Sequence, residues 1–248
     1  MERHNRFFVE DLAAEVVPLS VGEAHHAMHV LRLGAGDAAE LFDGRGGLAD
    51  GTIVEARQGK VSVRVLGRRQ VATRPQPVIH LALAVPKGKR MDWLLEKATE
   101  LAVGSLAPVS FDRSVVEPGE LAGAKRERWL GHCAAAAKQC GLAWLPEIHE
   151  SQPLKDFLAR FAQAGQVGLA GSADAGAVSV RTALASAPSD PTGGICLLVG
   201  PEGGLTDAEY AAARDAGFVP ARLGSTILRT ETACIALIAA VTAITERC

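Results

Sequence analysis

Hydrophobic and polar positions change their pattern once along the chain, close to residue 72. Before that point, short apolar runs end in turns, as in Leu41-Phe42-Asp43-Gly44, and residues 61–65 alternate between apolar and polar. Alternation with a period of two is typical of strands that bury one face. We therefore expect a β-rich N-terminal part with one short helix from Gly22 to Leu31, and the short strands favour a small barrel.

A proline-rich segment, residues 71–77, separates this part from a different pattern. Beyond it, long apolar runs alternate with helical periodicity. The runs predict buried strands at 78–85, 106–109, 167–170 and 195–199, with helices at 91–101 and 124–140 among them. Two prolines in three residues make a stiff connector, so the domain boundary is expected there, with domains at 1–72 and 73–248. The second domain should be α/β with a mainly parallel sheet.

The charge balance argues mildly against a nucleic-acid partner. The chain has 26 Lys and Arg against 28 Asp and Glu, which gives a formal net charge of −2. A local basic face is compatible with this balance, because the electrostatic field depends on where the charges lie. The five cysteines form no CxxC pair, so neither a disulfide framework nor a metal site is expected. The apolar segments are too short for a membrane span, and we expect a cytoplasmic protein without membrane contact.

The last of the predicted strands runs into the loop Gly200-Pro201-Glu202-Gly203-Gly204. Ligands of open α/β sheets bind just outside the carboxyl ends of strands, and glycines let backbone groups approach a ligand closely. The loop lacks the known phosphate-binding patterns, and Glu202 would repel phosphates. It suits a cation, a sugar hydroxyl or a proton transfer, although an ordinary glycine turn has the same pattern. A helix should follow, because Thr206 and Glu209 are spaced as a capping box and Gly217 can end it.

A second candidate segment, residues 223–233, joins a short strand to an apolar helix. Thr230 can cap that helix, and Glu231 in its first turn suits the helix dipole. Arg229 precedes the helix, where an anion or a polarised carbonyl could meet both its guanidinium and the helix amino terminus. A structural ion pair between Arg229 and Glu231 is the plainer alternative.

The two segments, GPEGGLT and LGSTILRTETA, resemble motifs of the RsmE family of SPOUT RNA methyltransferases. Other motifs of that family occur in the same order along nearly the whole chain. They are Arg6-Phe7-Phe8, His26 with Val30-Leu31-Arg32, Leu41-Phe42-Asp43-Gly44, Pro86-Lys87, Glu96-Lys97-Ala98-Thr99-Glu100-Leu101, Arg113-Ser114-Val115, Trp129, Gln139-Cys140-Gly141 and Pro146-Glu147-Ile148. Together they are far more specific than any one of them alone.

The resemblance implies an α/β fold class with two domains. Residues 1–72 would be a PUA-like β-barrel that helps to hold RNA, and residues 73–248 a SPOUT methyltransferase domain whose C-terminal part threads a trefoil knot. It implies S-adenosylmethionine as cofactor and small-subunit ribosomal RNA, free or in the assembled subunit, as partner. It also implies a homodimer through the knot domain and methylation of N3 of a specific uridine.

Carried onto this chain, the resemblance places the cofactor among three loops. The cofactor residues implied are Ala170, Gly171, Val199, Gly200, Glu202, Gly203, Leu223, Gly224, Ile227, Leu228, Thr230 and Ala233. We expect Arg229 to stabilise charge on the base during the reaction, while Glu202 either orients the cofactor or accepts the proton. The residues expected to contact RNA are Arg3, Arg6, Arg32, Lys87 and Arg113.

A few positions depart from the family pattern. Leu142 stands where the family usually has arginine, and Ser225-Thr226 where it often has Pro-Arg. The missing arginines bear on RNA or dimer contact more than on the fold or the cofactor. Two other functions stay open: a SPOUT enzyme that methylates a ribose 2′-hydroxyl or another base, and a ribosome-assembly factor that binds RNA and cofactor without turnover.

Overall fold

The computed structural model describes residues 5–71, 73–115, 123–174, 176–186 and 193–245. The chain forms two compact units, Met1–Arg74 with Ala137–Leu145, and Pro75–Ala136 with Pro146–Cys248. A segment late in the chain thus belongs to the N-terminal unit, which the proline-rich connector alone does not indicate. The functional domains at 1–72 and 73–248 stay a prediction.

The first unit is built on a five-stranded sheet. Its strands are β1 (Arg6–Phe8), β2 (Val16–Pro18), β3 (Ala38–Phe42), β4 (Gly47–Arg57) and β5 (Lys60–Gln70). They lie in the order β1-β3-β4-β5-β2, with β1 parallel to β3 and the other pairs antiparallel. The alternating run in β5 buries Val61 and Val63 in the core of this unit, as its period of two predicts. The β-rich N-terminal part is therefore confirmed.

The first unit has its helix where it was predicted, but the second half of that helix is a π-helix rather than an α-helix. An α-helix, α1, covers Val21–His25, and a π-helical turn continues it over His26–Val30. Ser20 begins α1, because its hydroxyl accepts a hydrogen bond from the Glu23 amide. The turn is widened by the Leu31 amide, which donates to the carbonyl of His26, five residues earlier. Hydrophobic periodicity does not distinguish such a turn from α-helix.

A buried ion pair holds the first unit together. Glu40 on β3 is only 7% exposed and pairs with Arg6 of β1 and Arg69 of β5. The Arg6 guanidinium also donates to the carbonyls of Ala137, at 3.0 Å, and Leu142, at 3.3 Å. One arginine therefore ties two strands to the late segment that joins this unit.

The second unit is an α/β domain. Its strands are β6 (Ile79–Leu83), β7 (Ser105–Ser110), β8 (Glu147–Ile148), β9 (Gln152–Pro153), β10 (Val167–Gly171), β11 (Val178–Ser179), β12 (Ile195–Val199) and β13 (Phe218–Arg222). Its helices are α2 (Lys89–Glu100), α3 (Ala124–Cys140, whose last turn groups with the first unit), α4 (Leu154–Phe161), α5 (Val180–Ala185), α6 (Asp207–Asp215) and α7 (Thr230–Thr245). All the strand pairs are parallel, in the order β11-β13-β10-β12-β6-β7-β8, with β9 beside β7. The predicted parallel sheet is confirmed; the trefoil knot stays a prediction.

Helices cover this sheet, which explains why its strands read as continuous apolar runs. Alpha helices α4 and α6 contribute to a core with small residues of the strands, such as Ala82 and Ala107. Helices α2 and α5 each pack against α7, and α7 also packs on β6 and β12. Among the described residues, no helix combines the length and the apolar character that crossing a bilayer requires.

We predict that removal of the Glu40 charge destabilises the first unit. In Glu40→Gln the guanidinium of Arg6, which is largely buried, loses its counter-charge, and breaking such a pair costs about 3 kcal/mol. The measurement is urea unfolding followed by circular dichroism. Glu55→Gln is the matched control, since Glu55 pairs only with the exposed Arg57 and should change the stability little. Equal stabilities of the two variants would contradict the role given to Glu40.

Candidate active site

Three loops of the second unit meet at one edge of its sheet. They follow β10, β12 and β13, beginning at Ser172, Gly200 and Leu223. These strands are neighbours in the order β13-β10-β12 and run parallel, so their carboxyl ends lie side by side. Ligand sites of open α/β sheets form at this edge.

The three loops and the start of α7 enclose a cleft of about 370 Å³. All the residues expected to hold a cofactor line it except Ala170, which is buried within β10. They are Gly171, Val199, Gly200, Glu202, Gly203, Leu223, Gly224, Ile227, Leu228, Thr230 and Ala233. The structure thus brings the residues from three separate segments together. Their contact with a cofactor stays a prediction.

The loop after β12 is held tightly at its first residue. The Thr230 hydroxyl, at the start of α7, donates to the Gly200 carbonyl at 3.2 Å. A Cβ on Gly200 would lie 2.2 Å from Cδ1 of Leu205, so this position has no room for a side chain. The hydroxyl of Thr230 therefore holds the neighbouring loop, and its capping of α7, which would use the same oxygen as an acceptor, stays a prediction.

Glu202 projects from the loop and is anchored by an arginine of α2. Nη1 of Arg90 donates to Oε1 of Glu202 at 2.9 Å and lies 3.8 Å from Oε2 of Glu231. Among the described residues, the ion-pair partner of Glu231 is therefore Arg90 rather than Arg229. Sequence reasoning missed the pairing of Arg90 with Glu202, since 112 positions separate the two residues.

Arg113 lies at the cleft and not simply on the surface. Its Nη1 donates to the Gly203 carbonyl at 2.6 Å, and its stem covers the Cα of Gly203. The adjacent Asp112 amide donates to Oε1 of Glu209 at 2.8 Å. The carboxylate of Glu209 also completes the predicted capping box with Thr206, which is confirmed. Arg113 is thus the only cationic side chain in the described lining of the cleft.

Arg229 is exposed and does not line the cleft, although the residues on both sides of it do. Its carbonyl accepts the Ala233 amide at 2.8 Å, which starts α7. Arg229 therefore lies between two lining residues along the chain without lining the cleft itself.

The other basic residues expected to contact RNA are scattered. Arg3 lies outside the described residues. The guanidinium of Arg6 is committed to Glu40 and to two carbonyls, so it serves the fold rather than reaching a phosphate. Arg32 and Lys87 are exposed. Their contact with RNA stays a prediction.

Thiol or metal chemistry has little support in the described part of the chain. Burial raises the pKa of the Cys133 thiol to about 11, and it raises the pKa of the Cys196 and Cys234 thiols further. Such thiols are protonated at neutral pH and are poor nucleophiles. Over the described ranges, no group of three or more His, Cys, Asp or Glu is placed to hold a metal ion.

The lining of the cleft matches a small molecule with both apolar and charged parts. Leu223, Ile227 and Leu237 offer apolar surface, while Glu202 and Asp174 offer carboxylates. A Cβ added at Gly224 would meet no atom within 4 Å, so this backbone leaves open space beside it. Glycine backbone, apolar walls and a few charged groups suit a ligand with a planar ring and a charged tail.

Comparison with known proteins agrees with this arrangement. An RNA methyltransferase PUA domain matches residues 19–66, and an RNA methyltransferase domain matches residues 73–242. The chain is 32% identical to ribosomal RNA small subunit methyltransferase E of Bacillus subtilis, over 90% of this chain and 88% of that one. It is also 32% identical to the protein of the same name from Mycobacterium bovis, over 97% and 92% of the two chains.

Two solved structures extend the likeness to three dimensions. Ribosomal RNA small subunit methyltransferase E from Neisseria gonorrhoeae, bound to S-adenosyl methionine, has a TM-score of 0.83 at 29% identity, over 97% of this chain and 98% of that one. A putative methyltransferase from Legionella pneumophila, in complex with the same cofactor, has a TM-score of 0.85 at 30% identity, over 97% and 98% of the chains. The chain therefore belongs to the RNA methyltransferase family that includes ribosomal RNA small subunit methyltransferase E.

Proposed function

We propose that this protein transfers a methyl group from S-adenosylmethionine to N3 of a specific uridine in small-subunit (16S) ribosomal RNA. The observation that carries the proposal is the convergence of the glycine loop after β12 and the loop after β13 on one cleft. Relatives that are 32% identical are named ribosomal RNA small subunit methyltransferase E, and two solved structures of similar fold hold S-adenosyl methionine.

The residues of the cleft fit S-adenosylmethionine. The adenine ring would lie against Leu223, Ile227 and Leu228, and the open space beside Gly224 leaves room for it. Glu202 and Asp174 supply carboxylates for hydroxyl or ammonium groups, and Arg113 supplies a cation for a carboxylate. When bound, the sulfonium group supplies an activated methyl for in-line transfer.

The protein must activate N3 of the uracil, which carries a proton at neutral pH. Arg229 borders the cleft, where its guanidinium can stabilise negative charge that spreads onto the carbonyl oxygens beside N3. Glu202 is fixed by Arg90, which favours an orienting role. Positioning of the reactants can supply much of the rate acceleration of methyl transfer. The loop at Gly200, which its contacts hold in place, would therefore contribute to catalysis by fixing the position of the methyl donor.

Partners and location follow from the same proposal. The RNA would be held by the PUA-like unit, and two copies would associate through the second unit. The side chain of Ile227 is 87% exposed and α7 presents partly exposed alanines and isoleucines, both of which favour a homodimer. Since ribosomal RNA is the substrate, we place the protein in the cytoplasm and retain the trefoil knot as part of the proposal.

The direct test uses small ribosomal subunits from cells that lack this activity. The protein is incubated with them and methyl-labelled S-adenosylmethionine, and the RNA is digested to nucleosides. Label in 3-methyluridine is the expected result. Label in a ribose 2′-O-methyl or in another base would assign a different reaction. Absence of label from subunits, free RNA and earlier assembly particles, with cofactor binding intact, would favour an assembly factor.

We predict that Gly224→Leu lowers the affinity for S-adenosylmethionine by about tenfold or more, because the side chain would occupy the cleft. The unfolding midpoint should stay unchanged, since open space surrounds the new Cβ. Isothermal titration calorimetry measures the affinity. Gly67→Leu, at a glycine of β5 that also faces open space, is the control. An unchanged affinity in Gly224→Leu would remove the cofactor from this cleft.

We predict that Arg229→Ala reduces turnover by roughly a hundredfold to a thousandfold, as loss of a charge-stabilising donor does. The affinity for S-adenosylmethionine should stay within a few-fold, because Arg229 lies outside the lining of the cleft. Single-turnover methylation and calorimetry measure the two quantities separately. Arg214→Ala, which removes an exposed arginine of α6, should leave both unchanged. Full activity of Arg229→Ala would reject the assignment.

A further inference from the structure

A second cavity lies beside the cofactor cleft, between the first turns of α2 and α7. It has a volume of about 350 Å³ and is lined by Lys89, Arg90, Trp93, Glu231 and Thr232. One of its residues, Arg90, donates to Glu202, which lines the cleft. The ion pair of Arg90 with Glu202 therefore joins the linings of the two cavities.

The chemistry of this second cavity is unlike that of the cleft. Trp93 is 44% exposed, which is unusual for a tryptophan of this chain, since Trp129 is 1% exposed. An exposed indole face stacks on aromatic rings, and stacking on bases of single-stranded RNA tolerates any sequence. Lys89 is exposed and Arg90 partly so, on the same helix turn. The combination of an aromatic face with cations is typical of sites that hold single-stranded nucleic acid.

The amino terminus of α2 adds donors for an anion. The helix begins at Lys89, no side chain caps it, and Gly88 precedes it with a φ of 62°. The Met91 amide donates to the Gly88 carbonyl at 3.1 Å, which leaves the amides of Lys89 and Arg90 for a phosphate, and the helix dipole also favours an anion there.

A buried carboxylate gives an independent indication of a ligand. Glu231 is 7% exposed, yet its Oε2 has no hydrogen-bond partner among the described residues. Arg90 approaches that oxygen only to 3.8 Å. A buried carboxylate oxygen without a donor is costly, and a ligand that brings an N–H or O–H group would relieve that cost.

We infer that this cavity is a subsite for the nucleotide next to the target uridine, resting on the function proposed above. The base stacks on Trp93, and its phosphate binds Lys89 and the first amide groups of α2. An amino group of the base, or the ribose 2′-hydroxyl, donates to the carboxylate of Glu231, which lines the cavity. The subsite helps to select an unstacked, single-stranded target, because a paired neighbour cannot reach the indole.

The test measures RNA binding without turnover, so it is independent of methylation. Protein with S-adenosylhomocysteine bound is titrated with the fluorescein-labelled RNA hexamers AAUAAA and CCUCCC, and fluorescence anisotropy gives the affinity. Trp93→Leu should weaken binding by about tenfold, and Trp93→Phe, which retains an aromatic face, should restore most of it. The affinity for the cofactor should not change in either variant.

Two lysines of α2 give a matched pair. Lys89→Ala should weaken RNA binding and lower the slope of log affinity against log salt by about one, as loss of one phosphate contact does. Lys97→Ala, at the other end of the helix and paired with Glu100, should change neither.

Equal RNA affinity of Trp93→Leu and wild type would overturn the inference. The inference would also fail if sedimentation showed that Trp93→Leu is a monomer, the wild type is a dimer and their RNA affinities are equal. The indole of Trp93 would then pack against a second copy of the chain. If the wild type binds RNA through Trp93 yet transfers no methyl group to ribosomal subunits, the subsite stands and the proposed function fails.

Discussion

The parallel arrangement of β13, β10 and β12 is the constraint on which the site depends. Because these strands run side by side in one direction, the loops that follow them emerge at one edge of the sheet. None of the three loops could form a cleft alone. The helices on both faces bury the strands and so keep their ends in register.

The glycine loop after β12 owes its shape to contacts from distant parts of the second unit. Thr230 binds its first carbonyl, Arg113 binds the carbonyl of Gly203, and Arg90 binds the carboxylate of Glu202. These three side chains come from α7, from the turn after β7 and from α2. A loop of this composition would be mobile on its own, and preorganisation by such contacts is what methyl transfer by positioning requires.

The same contacts show how the cofactor cleft and the surface around it are joined. Arg90 belongs at once to the ion pair with Glu202 and to the cavity of Trp93 and Glu231. One guanidinium therefore contacts the lining of both cavities. The charged side chains in this region form specific pairs. The net charge of the chain, which is close to zero, gives no sign of this local arrangement.

Local patterns predicted much of this from sequence. The apolar runs placed β6, β7, β10 and β12, and the spacing of Thr206 and Glu209 predicted the start of α6. The residues of the cleft were predicted from the resemblance of the motifs to a known family, because no local sequence rule indicates that residue 171 lies near residue 227. Long-range side-chain pairs were out of reach, among them Arg90 with Glu202 and Arg6 with Glu40, because many partners are possible for each charge. The hydrogen bond from Thr230 to the Gly200 carbonyl was out of reach for the same reason.

The measurement that tests the central claim most directly is a crystal structure of the protein with S-adenosylhomocysteine. The cofactor product is expected in the cleft, in contact with Gly171, Gly200 and Gly224, with the Thr230 to Gly200 hydrogen bond kept. Density for the molecule at another place, or a loop after β12 that rearranges to admit it, would contradict a preformed site made by three adjoining strand ends.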